Sequence, residues 1–261
     1  MNILLLGHGK TGSLVDAIAR ERGHQVTILT SAANPRGAGI STARGIDVAI
    51  DATTPDAILD NIEACARAGI NMAVCTTGWY QHIPRIRDLV EKSGIGFVYA
   101  SNFSVGVNLF FDIARLAGAA ARHGYSARIV ERHHVHKKDA PSGTAVTIRE
   151  KLENATNRVD AGDLTRDAAR NTAGGSTGLQ PGESTPTLSR GFSPGSVNIE
   201  SVREGEIVGE HTIILESAAD TITLQHSAKS RRGFAEGAVA AAEWVKGKRG
   251  FYEFHDILPQ L

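Results

Sequence analysis

Three histidines and two lysines fall within six residues, His133-His134-Val135-His136-Lys137-Lys138, and Asp139-Ala140-Pro141-Ser142-Gly143-Thr144-Ala145 follows at once. Imidazole exchanges a proton near neutral pH. A lysine crowded by other cations has its ammonium disfavoured and becomes a better proton donor. Ser142 is placed to cap a helix starting at Gly143 and Thr144, and the first amides of a helix bind carboxylate or phosphate oxygens. Proton donors beside an anion cradle point to an anionic small-molecule substrate. Two other readings compete. His134 and His136 have H-x-H metal-ligand spacing, but spacing fixes no third ligand. The stretch could also be a solvated basic loop, which the Gly-Thr cradle behind it argues against.

The cluster needs elements to position it. Residues 127–130, Ala-Arg-Ile-Val, read as a strand emptying into it, and a helix over about 143–155 leaves it. Upstream, Ile3-Leu4-Leu5-Leu6 is an apolar run of the kind that forms a buried parallel strand. It leads into Gly7-His8-Gly9-Lys10-Thr11-Gly12, a G-x-G-x-x-G turn, and then Leu14, Val15, Ala17 and Ile18 recur at helical spacing. Gly7 permits the tight turn, Gly9 lets backbone approach a pyrophosphate, and Gly12 allows close helix packing, so the turn predicts dinucleotide binding. The second strand, 25–31, ends at Ser31 without the carboxylate that usually holds ribose hydroxyls; Arg36 just downstream could meet a 2′-phosphate. This leans toward NADPH, with Arg36 as a plain surface arginine the competing reading.

Strands at 48–50, 72–75 and 97–99 end in Asp51-Ala52-Thr53-Thr54-Pro55, Thr76-Thr77-Gly78 and Ala100-Ser101-Asn102-Phe103, with helices near 56–68 and 82–93. This alternation predicts an α/β fold with a doubly wound parallel sheet that binds ligand at the carboxyl ends of its strands. Cys75 reads as a small buried hydrophobe sooner than a catalytic thiol. A helix over about 107–122 marks the domain change. Residues 156–195 are rich in Gly, Thr, Ser, Pro, Asp and Arg, and could hold short strands, a mobile flap or an arm reaching a neighbouring subunit. Strands at 197–202, 206–208, 212–215 and 221–226 predict a mixed or antiparallel sheet. A helix over about 234–246 and an aromatic tail, 250–254, close the chain, the tail docking back on the first domain.

The 261 residues are enough for two domains, and 41% hydrophobic with 21% charged residues is ordinary globular composition. Zero formal net charge argues against a nucleic-acid or membrane-surface partner for the whole chain. The N-terminal apolar run lacks a basic flank, so it is not a signal peptide, and no stretch approaches membrane-span length. Two cysteines, Cys65 and Cys75, are too few for a disulfide framework and suggest a reducing, cytoplasmic setting.

Glu131-Arg132-His133-His134-x-x-Lys137-x-Asp139-Ala140-Pro141-Ser142-Gly143-Thr144-Ala145 resembles the signature of the dihydrodipicolinate reductase family. Cys75-Thr76-Thr77-Gly78, Asn102-Phe103-Ser104-Val105-Gly106-Val107-Asn108, Gly209-Glu210-His211 and Phe234-Ala235-x-Gly237-Ala238 resemble further family motifs, in order along nearly the whole chain. The resemblance implies an N-terminal Rossmann domain, 1–104 with 232–261, carrying the doubly wound parallel sheet. It implies a second α+β domain, 105–231, on an open mixed sheet that binds substrate and builds a homotetramer. The implied reaction is NADPH- or NADH-dependent reduction of 4-hydroxy-tetrahydrodipicolinate, a small dicarboxylate, to tetrahydrodipicolinate in the diaminopimelate route to lysine. By the same resemblance His133 is the catalytic histidine and Lys137 the proton donor, while His134, Gly143 and Thr144 hold substrate carboxylates. Gly7, His8, Gly9, Lys10, Thr11, Gly12, Cys75, Thr76, Thr77, Ala100, Ser101, Asn102 and Phe103 match cofactor loops, and no metal is implied. Lys10 and Thr11 stand where many members carry Arg and Met, and the acid usual after strand two is absent, departures that bear on which nicotinamide is used. An aspartate-semialdehyde-type dehydrogenase would need a nucleophilic cysteine after Cys75, and none occurs. A nucleotide-sensing regulator that kept the fold would need a partner-binding or DNA-binding segment, and the sequence offers no cue for one.

Overall fold

Strand β1 (Asn2–Leu6) sends Ile3 and Leu5 into one apolar cluster and Leu4 and Leu6 into another. That two-sided burial follows from the strand's period of two in a sheet covered on both faces. A computed structural model describes residues 1–155 and 192–261, and the chain forms two units, 1–109 with 228–261 and 110–227. In the first unit β1 pairs with β2 (Gln25–Leu29) and β3 (Val48–Asp51), followed outward by β4 (Asn71–Val74), β5 (Gly96–Tyr99) and β10 (Gly250–Glu253), all parallel. Helices α1 (Lys10–Glu21) and α6 (Arg232–Val245) cover one face through Val15, Ile18, Val239 and Ala242. Helices α2 (Ile58–Ala68) and α3 (Ile83–Ser93) cover the other through Ile58, Ile62, Ile86 and Val90. The sheet is therefore the doubly wound Rossmann type, and strand order reverses between β1 and β3, where such folds take their ligand.

The tail expected to dock on this domain does so by entering its sheet. Phe251 stacks on Phe97 at 5.1 Å, and β10 finds its hydrogen-bond partners along β5. Helix α4 (Val105–Ala117) spans the division between the units, which falls after Leu109, and a 3-10 segment, Gly118–His123, continues it.

In the second unit β6 (Ser126–His133) is central, flanked by β7 (Asn198–Arg203) in parallel and β8 (Glu210–Glu216) antiparallel, with β9 (Thr221–Ser227) outermost. This is a mixed sheet. Ile129, Ile213 and Leu215 are buried in it, and α5 (Gly143–Glu153) contributes Ala145, Ile148 and Leu152 to the same unit's core.

Two sequence expectations fail here. Strand β6 runs three residues past Val130, because Glu131 and His133 have register partners in Ser201, His211 and Arg203. Part of the histidine cluster is thus strand, not loop. Conversely 206–208 is not a strand: the carbonyl of Ile207 accepts the His134 amide at 2.7 Å within the connection from β7 to β8. Of the 156–195 stretch, 156–191 lies outside the described residues. No helix among the described residues is long and apolar enough to cross a membrane.

Candidate active site

The glycine turn follows β1. Gly7 adopts φ +85°, and a Cβ there would lie 2.6 Å from the Ala52 carbonyl oxygen. A Cβ on Gly12 would lie 2.3 Å from the Gly7 carbonyl oxygen. A Cβ on Gly9, the α1 N-cap residue, would meet nothing within 4 Å. Two glycines thus let the turn close, and the third leaves open space before the helix amides, a cradle that fits a pyrophosphate. His8 and Lys10 are exposed beside it and Thr11 is half-buried.

Ser31 and Arg36 line one cavity of about 290 Å³ together with Thr53, Asp56, Asp60 and Asn61. The two aspartates come from the segment after β3, so carboxylates absent from the end of β2 reach the same space by another route. Arg36 is the one non-glycine residue among those described with positive φ, at +51°. Behind this cavity Asp51 is fully buried and accepts from Thr76 Oγ1 at 2.5 Å, Thr53 Oγ1 at 2.7 Å and Asn61 Nδ2 at 2.8 Å. Burial pushes its carboxyl up while these donors pull it down. Asn61 Oδ1 in turn accepts from Asn34 at 2.8 Å. The Thr76 side chain is therefore committed to a network joining the ends of β3 and β4. Cys75 is buried and its thiol is pushed up by burial, then by Asp51, which removes it as a nucleophile. Thr77 and Ser101 are exposed; Ala100 and Phe103 are buried, Phe103 packing on Phe254 at 4.8 Å. Asn102 Oδ1 accepts the Ser104 amide at 2.8 Å.

In the second unit the end of β6 places Glu131 and His133 on one side of the sheet, two residues apart. Glu131 Oε2 lies 2.7 Å from His133 Nδ1, and Oε1 accepts from Arg203 at 2.8 Å and the Ser142 amide at 3.2 Å. Burial opposes charge on Glu131, but the donors Arg203, Ser201 and Ser142 prevail and hold it down at about 2. Burial lowers His133; Glu131 resists this, and Lys137 and Arg203 add to it. His211, opposite Glu131 on β8, is pushed down to about 3, first by burial and then by His133. Its Nε2 lies 3.2 Å from Ser142 Oγ.

Ser142 caps α5, its Oγ accepting the Ala145 amide at 3.2 Å, as the sequence suggested. The amides of Gly143 and Thr144 open that helix, where no intrahelical acceptor precedes them. Lys137 is not surrounded by cations alone: its Nζ sits 2.7 Å from both carboxylate oxygens of Asp139. His134 is half-buried, its ring 6.1 Å from that of His136, which is exposed.

Sequence reasoning missed Glu131, Arg203, His211 and Asp139 as site residues. The Glu131-x-His133 spacing on a strand could have flagged the first; nothing local flags Arg203, whose place depends on parallel pairing. Ligand atoms of Glu131, His133 and His211 lie within 4.8 Å of one another. The Arg203 guanidinium already holds that carboxylate, and a cation beside it would face like charge, so the donor set fits a hydrogen-bond network better than a metal.

The fold and these sites define a class: an oxidoreductase with a nicotinamide-dinucleotide domain and a separate unit carrying a buried histidine on its sheet. Models of dihydrodipicolinate reductase match the chain over 1–103 for the N-terminus and 106–258 for the C-terminus. The chain belongs to the dihydrodipicolinate reductase family. A 4-hydroxy-tetrahydrodipicolinate reductase of Christiangramia forsetii is 35% identical over 263 residues, covering 100% of this chain and 99% of its own. One from Neisseria meningitidis serogroup A is 36% identical over 244 residues, covering 93% and 83%. The structure of dipicolinate-bound dihydrodipicolinate reductase from Paenisporosarcina sp. TG-14 shares the fold, with a TM-score of 0.69 at 22% identity over 98% of this chain and 99% of that one.

Proposed function

We propose that this chain catalyses the NAD(P)H-dependent reduction of 4-hydroxy-tetrahydrodipicolinate to tetrahydrodipicolinate, the reductase step of the diaminopimelate route to lysine. The observation that carries the reading is the loop from His133 to Thr144, which joins a buried histidine, an ammonium group and the opening amides of α5 in one unit. When bound, the nicotinamide supplies a hydride. Adding hydride to an unsaturated ring leaves a carbon that must be protonated, and Lys137 carries the proton within this loop. His134 and the amides of Gly143 and Thr144 receive the carboxylates of the diacid. The Asp139 carboxylate lies 2.7 Å from the Lys137 ammonium and holds it in place until substrate carboxylates compete for it. In the first unit Gly9 and the α1 amides receive the pyrophosphate, with Thr77, Ser101 and Asn102 around the nicotinamide end.

Arg36 meets a 2′-phosphate, while Asp56 and Asp60 accept from ribose hydroxyls in the same cavity, so both nicotinamides serve and NADPH is favoured. The chain assembles as a homotetramer in the cytoplasm. Supporting this, β9 is an edge strand among the described residues and leaves Ile222 41% exposed, and both cysteines are free and buried.

The test follows nicotinamide absorbance with freshly generated substrate, comparing NADPH with NADH. Turnover is expected with both, and His133→Ala is expected to lower it roughly a hundredfold with cofactor affinity little changed. Absence of turnover in the unmodified protein, with nucleotide binding intact, would overturn the reading in favour of a nucleotide sensor.

A further inference from the structure

We propose that Glu131 is a positioning residue for His133: it fixes the imidazole in one tautomer, with the proton on Nδ1 and the Nε2 lone pair presented to the site. The proposal deepens the function above and rests on His133 taking part in that reaction.

The geometry leaves Glu131 little freedom. Both residues are buried, Glu131 at 0% exposure and His133 at 7%. Oε2 lies 2.7 Å from Nδ1 as an ion-pair approach, off the line of a hydrogen bond in this structure, and neither atom has another hydrogen-bond partner among the described residues, so the ring needs only a small rotation to donate to it. Oε1 is engaged by two donors from different elements, the Arg203 guanidinium on β7 and the Ser142 amide at the start of α5. A carboxylate pinned at one oxygen cannot swing its other oxygen away from the ring. An ionised carboxylate only accepts hydrogen bonds. The Nδ1 facing it must therefore be the protonated nitrogen, and in the neutral ring Nε2 is then the acceptor.

The surroundings agree. A Cβ added at Gly209 would stand 3.1 Å from His133 Nε2, so the residue beside that nitrogen is one without a side chain to cover it. The His211 ring meets the His133 ring edge-on at 5.2 Å, walling it from β8. The charged and titratable groups around His133 are Glu131, Arg203, Lys137 and His211. Of these only Glu131 favours the imidazolium; burial, Lys137 and Arg203 all oppose it. Near neutral pH the ring is therefore neutral and oriented. His133 and Lys137 then hold separate roles, one accepting a hydrogen bond or proton and the other donating, a division set by environment. Glu131 acts through His133 and touches no reacting atom.

The experiment is NMR of the protein labelled with ¹⁵N in its histidine rings, without substrate, on the unmodified chain, Glu131→Gln and Arg203→Gln, alongside kinetics. In the unmodified chain the His133 ring is expected to show the Nδ1–H tautomer. The carboxamide of Glu131→Gln can donate to Nδ1, so that variant is expected to shift the ring to Nε2–H. It should also lower the His133 pKa and cut kcat by roughly a hundredfold or more, the scale set by orienting carboxylates beside catalytic imidazoles, with nucleotide affinity unchanged. Arg203→Gln removes an opposing cation and is expected to raise the His133 pKa. A merely structural Glu131 would move neither tautomer nor pKa in these opposite senses. An Nε2–H ring in the unmodified chain overturns the proposal, as does Glu131→Gln with unaltered tautomer and kcat. Should Glu131→Gln fail to fold, the unmodified tautomer and the Arg203→Gln shift decide alone. An Nδ1–H ring in a chain that does not turn over the substrate would uphold the positioning and sink the functional reading.

Discussion

Arg203 stands directly opposite His133 in the parallel register of β7 and β6, and its guanidinium reaches both Glu131, at 2.8 Å, and the Asp139 carbonyl, at 2.5 Å. One side chain thus ties the strand that carries the imidazole to the loop that carries the ammonium. The register makes this possible, since a slip of one residue would turn Arg203 to the other face of the sheet.

That buried network sets a pH dependence. Glu131 is held at about 2, below its ordinary 4.5, so it stabilises the fold above pH 4.5 and that contribution is lost as pH falls toward 2. His211 is held neutral, at about 3 against an ordinary 6.5, so its contribution is full above pH 6.5 and is lost as pH falls toward 3. The second unit is therefore expected to lose stability from pH 6.5 downward, on the order of a few kcal/mol by pH 4. Urea unfolding followed across that range checks this, and His211→Gln should flatten the upper part of the curve.

The glycine turn separates folding from binding. Gly12→Ala forces a Cβ to within 2.3 Å of the Gly7 carbonyl oxygen and is expected to lower the melting temperature by several degrees. Gly9→Ala enters open space and should leave melting nearly unchanged while weakening nucleotide binding by about tenfold, through a methyl group where the pyrophosphate sits. Thermal melts and fluorescence titration with NADPH distinguish the two. Equal melting temperatures would refute the assignment of Gly12 to packing.

Arg36 carries a left-handed backbone that costs an ordinary residue about 1 kcal/mol. Arg36→Gly should therefore fold at least as well and lose roughly tenfold in kcat/KM for NADPH, with NADH little affected. A parallel loss with both nucleotides would remove Arg36 from 2′-phosphate recognition.

Lys137→Ala removes both proton and positive charge. Turnover is expected to fall by roughly a hundredfold and the substrate KM to rise. Asp139→Asn keeps the ammonium and loses only its counter-ion, so it should retain more activity than Lys137→Ala. Normal kinetics in Lys137→Ala would reassign the donor.

Much of the first unit was legible because its signals are local. Ile3 to Leu6 reads as buried strand from its own apolar run, and Gly7, Gly9 and Gly12 announce the turn by their spacing. The ends of elements were less so. Strand β6 was expected to stop at Val130, where β-branched residues end, yet pairing with β7 and β8 carries it to His133. Residues 206–208 look like a strand by composition, but the Ile207 carbonyl is taken by His134 across a connection. The aromatic tail reads as docking on the first domain, and pairing along the edge of β5 makes it a strand there.

The sequence by itself determined the dinucleotide turn, the two kinds of sheet and the presence of imidazole, ammonium and helix amides in one short loop. These rest on spacing within a few residues, where backbone geometry converts sequence distance directly into space. Only the tertiary structure decided that Glu131 faces His133, that Arg203 and Ser142 hold Glu131, and that Asp56 and Asp60 share a cavity with Arg36. Those relationships depend on which strands pair and in what register, a choice made by burial over the whole unit, which no stretch of the chain carries alone.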